Sequence, residues 1–476
     1  MRWAACSGVS ATTRGSGSSV AAKRADADVL RQSPCEVEDG WMMGRAGLRE
    51  LAAASLWVSP AVWAVVALMA GTVISQVTVD PGSAWAPLAF QGTADDARTL
   101  LVTIASTVVT VIALVLGLTV VALQLSSTQF SPRLLRNFLR DRPTQRVLSV
   151  FLSTFTYSAA GLYTVGVASG TRTEQFPRLA VTGAILLLFA SLAMVIYFAD
   201  HLAHSIQIDA ITDLVQRGTV QVVLIKPGDV EEPTPQPPPW AVTVPATGSG
   251  YVQTAHPRRL LPLATQLEVT VLIRPRVGEH VVAGTTLAWI WRPNVHDPTP
   301  DLSALGPAIE QAVRVGFERT LEQDAAFGIR QLVDVACKAL SPAVNDPYTA
   351  VQAIEHLSVI FCALAVRPLG DDIAHDPAST VTVIVPGRRF ADYLETMCGL
   401  IRRYGAGEPT VALALLRLLD DCAALVTDNP TRTRAILDQA ALILDDAERN
   451  IAQPADAIPV RTAATALQHR LDNHPA

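Results

Sequence analysis

Long apolar runs alternate with short polar loops in the first half of the chain. Four segments combine the length of a membrane span with an interior that contains no Asp, Glu, Lys or Arg. A helix needs about 20 predominantly apolar residues to cross the hydrocarbon core of a bilayer. The pattern therefore predicts four transmembrane helices, at about residues 52–75, 100–123, 147–169 and 178–199.

After residue 200 the pattern changes twice. A Pro-rich linker, assigned to residues 219–240, precedes alternating apolar and polar residues at 241–292, which indicate a small β-domain. Apolar residues at helical spacing continue through 303–450, interrupted by a short VTVIV strand at 381–385. The predicted fold class is an α-helical polytopic membrane domain with four spans, followed by a small β barrel-sandwich-like domain and an α-rich cytoplasmic domain.

The two ends of the chain lie outside these patterns. Residues 1–44 are rich in Ser, Ala and Gly and lack the central apolar segment of a signal peptide, so we interpret them as a disordered leader. A sharper hypothesis is that translation begins at Met42 or Met43. The membrane domain then occupies 45–218, and 451–476 form a tail.

The charges of the loops predict the orientation. The loop between the second and third spans carries five arginines and one aspartate, whereas the loop before the second span carries three aspartates and one arginine. Arg-rich loops stay on the cytoplasmic side. We therefore expect a multi-pass protein of the cell (inner) membrane with both termini in the cytoplasm and the lipid bilayer as its first partner.

Composition agrees with membrane residence. Half of the residues are hydrophobic, 17% are charged, and the mean hydropathy is +0.31. The net charge of −6 gives no support for a nucleic-acid partner. Six cysteines occur singly without a CxxC pair, so we predict neither a zinc motif nor a cofactor.

Hydroxyl and small residues form one helical face on the second span and another on the third. These residues are Thr103, Ser106, Thr107 and Thr110 on the second span, and Ser153, Tyr157, Gly161 and Thr164 on the third. They are candidates for a polar path through the membrane. The alternative is helix–helix packing, for which membrane proteins ordinarily use such residues.

A polar hairpin interrupts the helical region at the sequence KALSPAVNDPYTA. Asp346 is placed to cap the next helix and Pro347 to occupy its first position, which favours a structural role. The second interpretation is a polar binding or catalytic pocket, formed if packing brings upstream groups close to the hairpin. Its candidate residues are Gln323, Asp324, Arg330, Asp334, Asn345 and Asp346.

His201 and His204 lie three residues apart, directly after the fourth span. This spacing could supply half of a metal site. No further Cys/His cluster completes it, so the sequence favours the end of a helix at the membrane interface and no metal.

The β-domain resembles the biotinyl/lipoyl barrel-sandwich type in the pieces SGYVQ and VGEHVVAGTTLAWI. That resemblance implies two hairpins brought together by Gly turns. The domain contains no lysine, so the resemblance implies a structural version without a prosthetic group.

Several longer blocks together resemble one bacterial family. They are VALQLSSTQFSPRLLRNFLRDRPTQ, VFLSTFTY, YFADHLAHSIQ, SGYVQ and QDAAFGIRQLVDVACKALSPAVNDPYTA. In this order, from residue 45 to about 430, the chain looks like the predicted membrane proteins called domain of unknown function 2254. The resemblance implies a four-span anchor and a cytoplasmic module, and it implies no particular activity.

Three functions remain open. The sequence favours a homo-oligomeric channel or transporter gated by its cytoplasmic domain. The alternative is a membrane-anchored sensor or scaffold that binds an unknown ligand or a protein through that domain. A membrane-bound enzyme is the least favoured, because the chain carries no Walker loop, GxGxxG, GxSxG or HExxH motif.

Overall fold

A computed structural model describes residues 57–76, 89–129, 142–168, 177–205, 208–225, 228, 231, 233–298, 300–426 and 428–472. The predicted leader and most of the Arg-rich loop lie outside these residues.

The first four helices pack together. They are α1 (Val58–Ile74), α2 (Ala94–Gln129), α3 (Arg142–Ala168) and α4 (Arg178–Ser205). Helix α3 contacts each of the other three. Small residues allow close approach: a Cβ atom added to Gly71 of α1 would lie 3.0 Å from the Ala160 Cβ of α3. Such packing is typical of membrane helices.

Large apolar side chains cover the outside of this bundle. On α4, Leu186, Phe189, Leu192 and Ile196 are each more than half exposed, and Trp63 and Met69 of α1 are similarly exposed. Soluble monomers rarely expose contiguous apolar surface of this kind. The outer surface of the bundle therefore suits contact with lipid.

Among the described residues, three helices are long and apolar enough to cross a membrane: Ala94–Ala122, Arg178–His204 and Pro347–Ala365. The third lies in the core of the carboxyl-terminal half, where Leu357, Phe361 and neighbouring residues are fully buried by other helices. Length and apolar composition therefore also select a helix that lies in a globular core. They do not select α3, in which Ser and Thr lower the hydrophobicity, or α1, which is shorter.

In the described part of the chain, eight strands form two sheets. The first has the order β1 (Val242–Pro245), β5 (Thr286–Trp291), β3 (Thr270–Ile273), β8 (Thr382–Val385) and β7 (Asp372–His375). The second has the order β4 (His280–Val281), β2 (Gly250–Ala255) and β6 (Val313–Gly316). All pairs are antiparallel except β3 with β8, where Val271 pairs with Val383.

The β-region is larger than its predicted boundaries of 241–292. The VTVIV segment does form a strand, but that strand joins the same sheet from far along the chain. Helix α6 (Pro257–Leu267) interrupts the strands, and α7 (Leu302–Ala312) packs beside it. Their Leu260, Leu305 and Ile309 side chains fill the core below the sheets, which explains why these segments are helical although strands surround them.

The remaining helices form one layer with a shared core. They are α5 (Ile208–Ile225), α8 (Ala325–Ala339), α9 (Pro347–Ala365), α10 (Phe390–Tyr404), α11 (Pro409–Ala423), α12 (Pro430–Asn450) and α13 (Pro454–Asp472). Helix α5 thus occupies the start of the predicted linker 219–240. Helix α13 occupies most of the predicted tail and buries Val460 and Leu467.

The same type of cap, a polar residue followed by proline, begins three of these helices. Asp346-Pro347, Glu408-Pro409 and Asn429-Pro430 each supply a capping side chain followed by proline at the first helical position. The cap satisfies a backbone N–H that would otherwise lack a partner, and proline has no N–H at that position.

Candidate functional site

A cleft of about 80 Å³ lies where the β-region meets the helical layer. Side chains from α5, the turn after β3, the start of α8, the loop after α9, the end of β8 and α10 line it. Val222 of α5, Leu369 and Val385 supply apolar wall. The cleft has room for several water molecules or one small ligand.

Three arginines face this cleft: Arg276, Arg367 and Arg388. The Arg276 Nη1 donates to Asp392 Oδ2 at 3.1 Å. Within the part of the chain that the structure describes, the half-buried guanidinium groups of Arg367 and Arg388 form no ion pair. Within the described residues, the cleft therefore holds two cations without an ion-pair partner.

The buried carboxylate in the cleft belongs to Asp324. Its Oδ2 accepts hydrogen bonds from Arg319 Nη2 at 2.7 Å and Nε at 2.9 Å, and its Oδ1 caps α8 through the Phe327 N–H at 3.1 Å. Burial raises the pKa of Asp324, while the Arg319 and Arg388 guanidinium groups oppose that rise. The Asp324 carboxylate is therefore already hydrogen-bonded to Arg319 and to the first turn of α8.

The carboxylate of Asp372 and two neutral polar side chains complete the lining. The Gln323 Oε1 accepts the Ala255 N–H at 3.0 Å, which ties the start of α8 to β2. Burial raises the pKa of Tyr393 to about 12, so its phenol stays protonated and can donate a hydrogen bond at any physiological pH.

The Pro-rich segment crosses the domain beside the cleft. We call its described residues Gly228, Glu231 and 233–239 the strap. The Gly228 N–H donates to Pro368 O at 3.0 Å, and Gly228 itself lines the cleft. The Thr234 hydroxyl donates to Asp371 Oδ1 at 3.0 Å, and the same oxygen accepts the Gly387 N–H. The strap is therefore fastened to the loop that carries Arg367, and Asp371 joins that loop to the one that carries Arg388.

The strongest fastening is the pair Glu231–Arg432. Arg432, only 7% exposed, donates to Glu231 Oε2 from Nη2 at 2.7 Å and from Nε at 3.0 Å. It also donates to the carbonyl oxygens of Ala365 and Arg367. The Glu231 Oε1 accepts the N–H of Phe390, whose ring stacks against the guanidinium at 5.3 Å.

The structure does not gather the six candidates of the polar hairpin into one pocket. Gln323 and Asp324 lie at the start of α8, whereas Asn345 and Asp346 follow its end. Fifteen residues of helix separate the two groups by about 22 Å. Only Gln323 and Asp324 line the cleft.

The other four candidates have local structural contacts. Arg330 pairs with Asp334 one turn along α8 at 3.3 Å. Asp346 caps α9 by accepting the Thr349 N–H and hydroxyl, and these bonds lower the pKa of Asp346. Asn345 has a positive φ of 50°, a left-handed conformation that asparagine tolerates in turns.

The two polar faces of the predicted spans do not meet within one copy. Thr103, Ser106, Thr107 and Thr110 point away from the other three helices, because α2 packs through Leu101 and its neighbours. The hydroxyls of Thr103, Ser106 and Thr110 donate to carbonyl oxygens of α2 itself.

The polar residues of α3 lie instead inside the bundle. Ser153 is half-buried and Tyr157 is buried beside Gly183 of α4. The Thr154 and Ser191 hydroxyls lie 2.8 Å apart, and Thr156 donates to the Ala64 carbonyl of α1 at 3.2 Å. These contacts join neighbouring helices.

The two histidines are placed at the end of α4. His204 Nδ1 lies 2.8 Å from the Asp200 carbonyl oxygen, and His201 stacks on Tyr197. In the described ranges no group of three metal-ligating side chains lies together.

Sequence reasoning missed the cleft arginines and Tyr393. Each arginine stands within two residues of a proline: Pro275-Arg276, Arg367-Pro368 and Pro386-Gly387-Arg388. All three follow a buried apolar element, so an arginine in a Pro-containing turn at the end of a core segment is the signal that was available. Nothing in the sequence alone shows that the three turns meet.

The chain matches the model of one protein family, described as predicted membrane protein (DUF2254), over residues 53–421. Two uncharacterized proteins, one from Mycobacterium bovis and one from Mycobacterium tuberculosis, are each 44% identical to it over 417 residues. Each alignment covers 86% of this chain and 79% of the relative. No solved structure matches.

We predict that Glu231→Gln destabilises the carboxyl-terminal half by about 2 kcal/mol, because it leaves the charge of Arg432 buried without a counter-ion. Thermal and urea unfolding of the detergent-solubilised protein measures the change. The matched control is Asp438→Asn, which removes the partner of the exposed Arg434 and should cost at most about 0.5 kcal/mol. Equal losses in the two variants would contradict the role given to Glu231.

Proposed function

The chain belongs to the DUF2254 family of predicted membrane proteins, and from that premise we propose that it is a membrane-anchored binding protein. In this proposal α1–α4 are four transmembrane helices that hold the protein in the bilayer. The carboxyl-terminal half binds a small ligand in the cleft and acts as a sensor. The cleft, with two arginines that have no ion-pair partner among the described residues, is the observation that carries the proposal.

The packing of the bundle supports the role of an anchor. Hydroxyl groups of α3 contact α1 and α4, so they contribute to helix association. The apolar outer surface supports four spans, including α3, which is surrounded by the other helices.

The connection between the halves supports a sensor. Helix α5 begins three residues after α4 ends, and its Val222 and Val223 form part of the cleft wall. Helix α5 also packs on α8 and α9, where the Gln216 Oε1 lies 2.6 Å from the His356 Nδ1. A ligand in the cleft would therefore touch the helix that leads directly to the membrane.

The binding proposal is tested by filling the cleft. Val277 lines it, and Val277→Phe should abolish any thermal shift that a library of small metabolites produces in the full-length protein. The matched control Val282→Phe, at an exposed position of the same β-region, should keep the shift. If ligands stabilise both variants equally, the cleft is not the binding site.

The arrangement in the membrane follows from the positive-inside rule, with both termini in the cytoplasm. We expect protease added to intact spheroplasts to leave the carboxyl-terminal half uncut, and carbonate washing to leave the protein in the membrane. Digestion after lysis is the control. Cleavage in intact spheroplasts would contradict the proposed orientation, and release by carbonate would contradict the proposed transmembrane anchor.

A channel or transporter is the second candidate, favoured by one observation. The hydroxyl face of α2 is exposed in a single copy, so a polar path would have to form between copies in a homo-oligomer. In that case Thr107→Leu should reduce ion or solute flux in liposomes at least severalfold, with Val109→Leu on the same helix as control. Wild-type liposomes without flux, or unchanged flux in Thr107→Leu, would exclude this path.

A further inference from the structure

We propose that the ligand of the cleft is a small organic anion, whose carboxylate or phosphate lies against Arg388 and Arg367 and whose apolar part contacts Val222, Leu369 and Val385. This inference rests on the proposed binding function and adds the chemical class of the ligand.

The balance of charges in the cleft carries the argument. Arg276 is paired with Asp392, and Arg319 is paired with Asp324. The other carboxylate of the lining, Asp372, forms no ion pair with Arg367 or Arg388 and has an interaction elsewhere. The Asp324 carboxylate accepts three hydrogen bonds from other groups, and Arg388 acts on it only through longer-range charge attraction. Within the described residues, Arg367 and Arg388 then remain as cations without a paired anion. A partly desolvated guanidinium is stabilised by an anion that can accept its hydrogen bonds.

The backbone that carries these cations is held rigidly. The carbonyl of Arg367 accepts from the buried Arg432 at 2.9 Å. The residue before Arg388, Gly387, donates to Asp371 at 3.0 Å and approaches Gly370 so closely that an added Cβ would lie 1.6 Å from the Gly370 oxygen. Fixed loops preorganise the two guanidinium groups and lower the entropic cost of binding.

The remaining lining limits which anions fit. Tyr393 adds a neutral donor, and the valine and leucine side chains favour an apolar portion. A volume of about 80 Å³ suits a compact ligand. We therefore expect a compact anion with a short hydrocarbon part.

The test compares probes of equal size and different charge. Butyrate, butylammonium and 1-butanol are titrated into the full-length protein in neutral detergent, with binding followed by calorimetry and thermal shift. Propyl phosphate and inorganic phosphate test the phosphate form. We expect butyrate or propyl phosphate to bind, butylammonium and butanol not to bind, and affinity to fall as salt rises.

Arg388→Gln should weaken anion binding about ten- to hundredfold. Arg434→Gln, an exposed arginine on α12, should leave it unchanged. If Arg388→Gln unfolds, Arg367→Gln provides the same test. Binding of butylammonium or butanol as tight as that of butyrate, or wild-type affinity in both cleft variants, would overturn the inference.

A lipid headgroup could present the same phosphate chemistry. Stabilisation in nanodiscs with anionic lipid but not with zwitterionic lipid, lost in Arg388→Gln and without any binding of soluble anions, would identify the headgroup and overturn the soluble ligand. Uncharged library compounds that bind wild type but not Val277→Phe, while no anion binds, would leave the binding function standing and remove only the anion.

Discussion

The buried guanidinium of Arg432 joins parts of the carboxyl-terminal half that are far apart in sequence. It lies in the first turn of α12 and reaches Glu231 of the strap, the carbonyl oxygens at the end of α9 and the ring of Phe390 at the start of α10. Burying a guanidinium without partners costs free energy, so folding must bring these groups into contact with Arg432. The loops that bear Arg367 and Arg388 adjoin these contacts of Arg432, so the shape of the cleft depends on them.

Much of the fold could be predicted from local patterns. The apolar runs indicated the helices of the bundle, and the Asp346-Pro347 cap was visible because it is settled within four residues. Patterns with long-range causes were harder to recognise. Helix α6 was missed among strands. The segments of β3 and β8 were both recognised as β-structure, but their pairing across more than one hundred residues was not. A single sequence reports local preference but carries little information about pairing at that distance.

The residues of the candidate site were likewise predictable only in part. Gln323 and Asp324 were recognised as polar residues upstream of the hairpin, and they line the cleft. Their predicted neighbours Asn345 and Asp346 lie beyond the other end of α8, because a straight helix separates what a hairpin was expected to join. Arg367 and Arg388 are ordinary turn residues by local pattern. They matter because they face the cleft and have no ion-pair partner among the described residues. Both properties follow from the packing of several elements.

The parallel pairing of β3 with β8 has a consequence for synthesis of the chain. The β-hairpin β3–β5 can form early, but the edge of β3 stays open until residues 382–385 have left the ribosome. Helices α8 and α9 are made in the meantime, so the nascent chain carries an unpaired strand edge over that interval. Completion of the sheet therefore comes late, and the β-region and the helical layer mature as one folding unit.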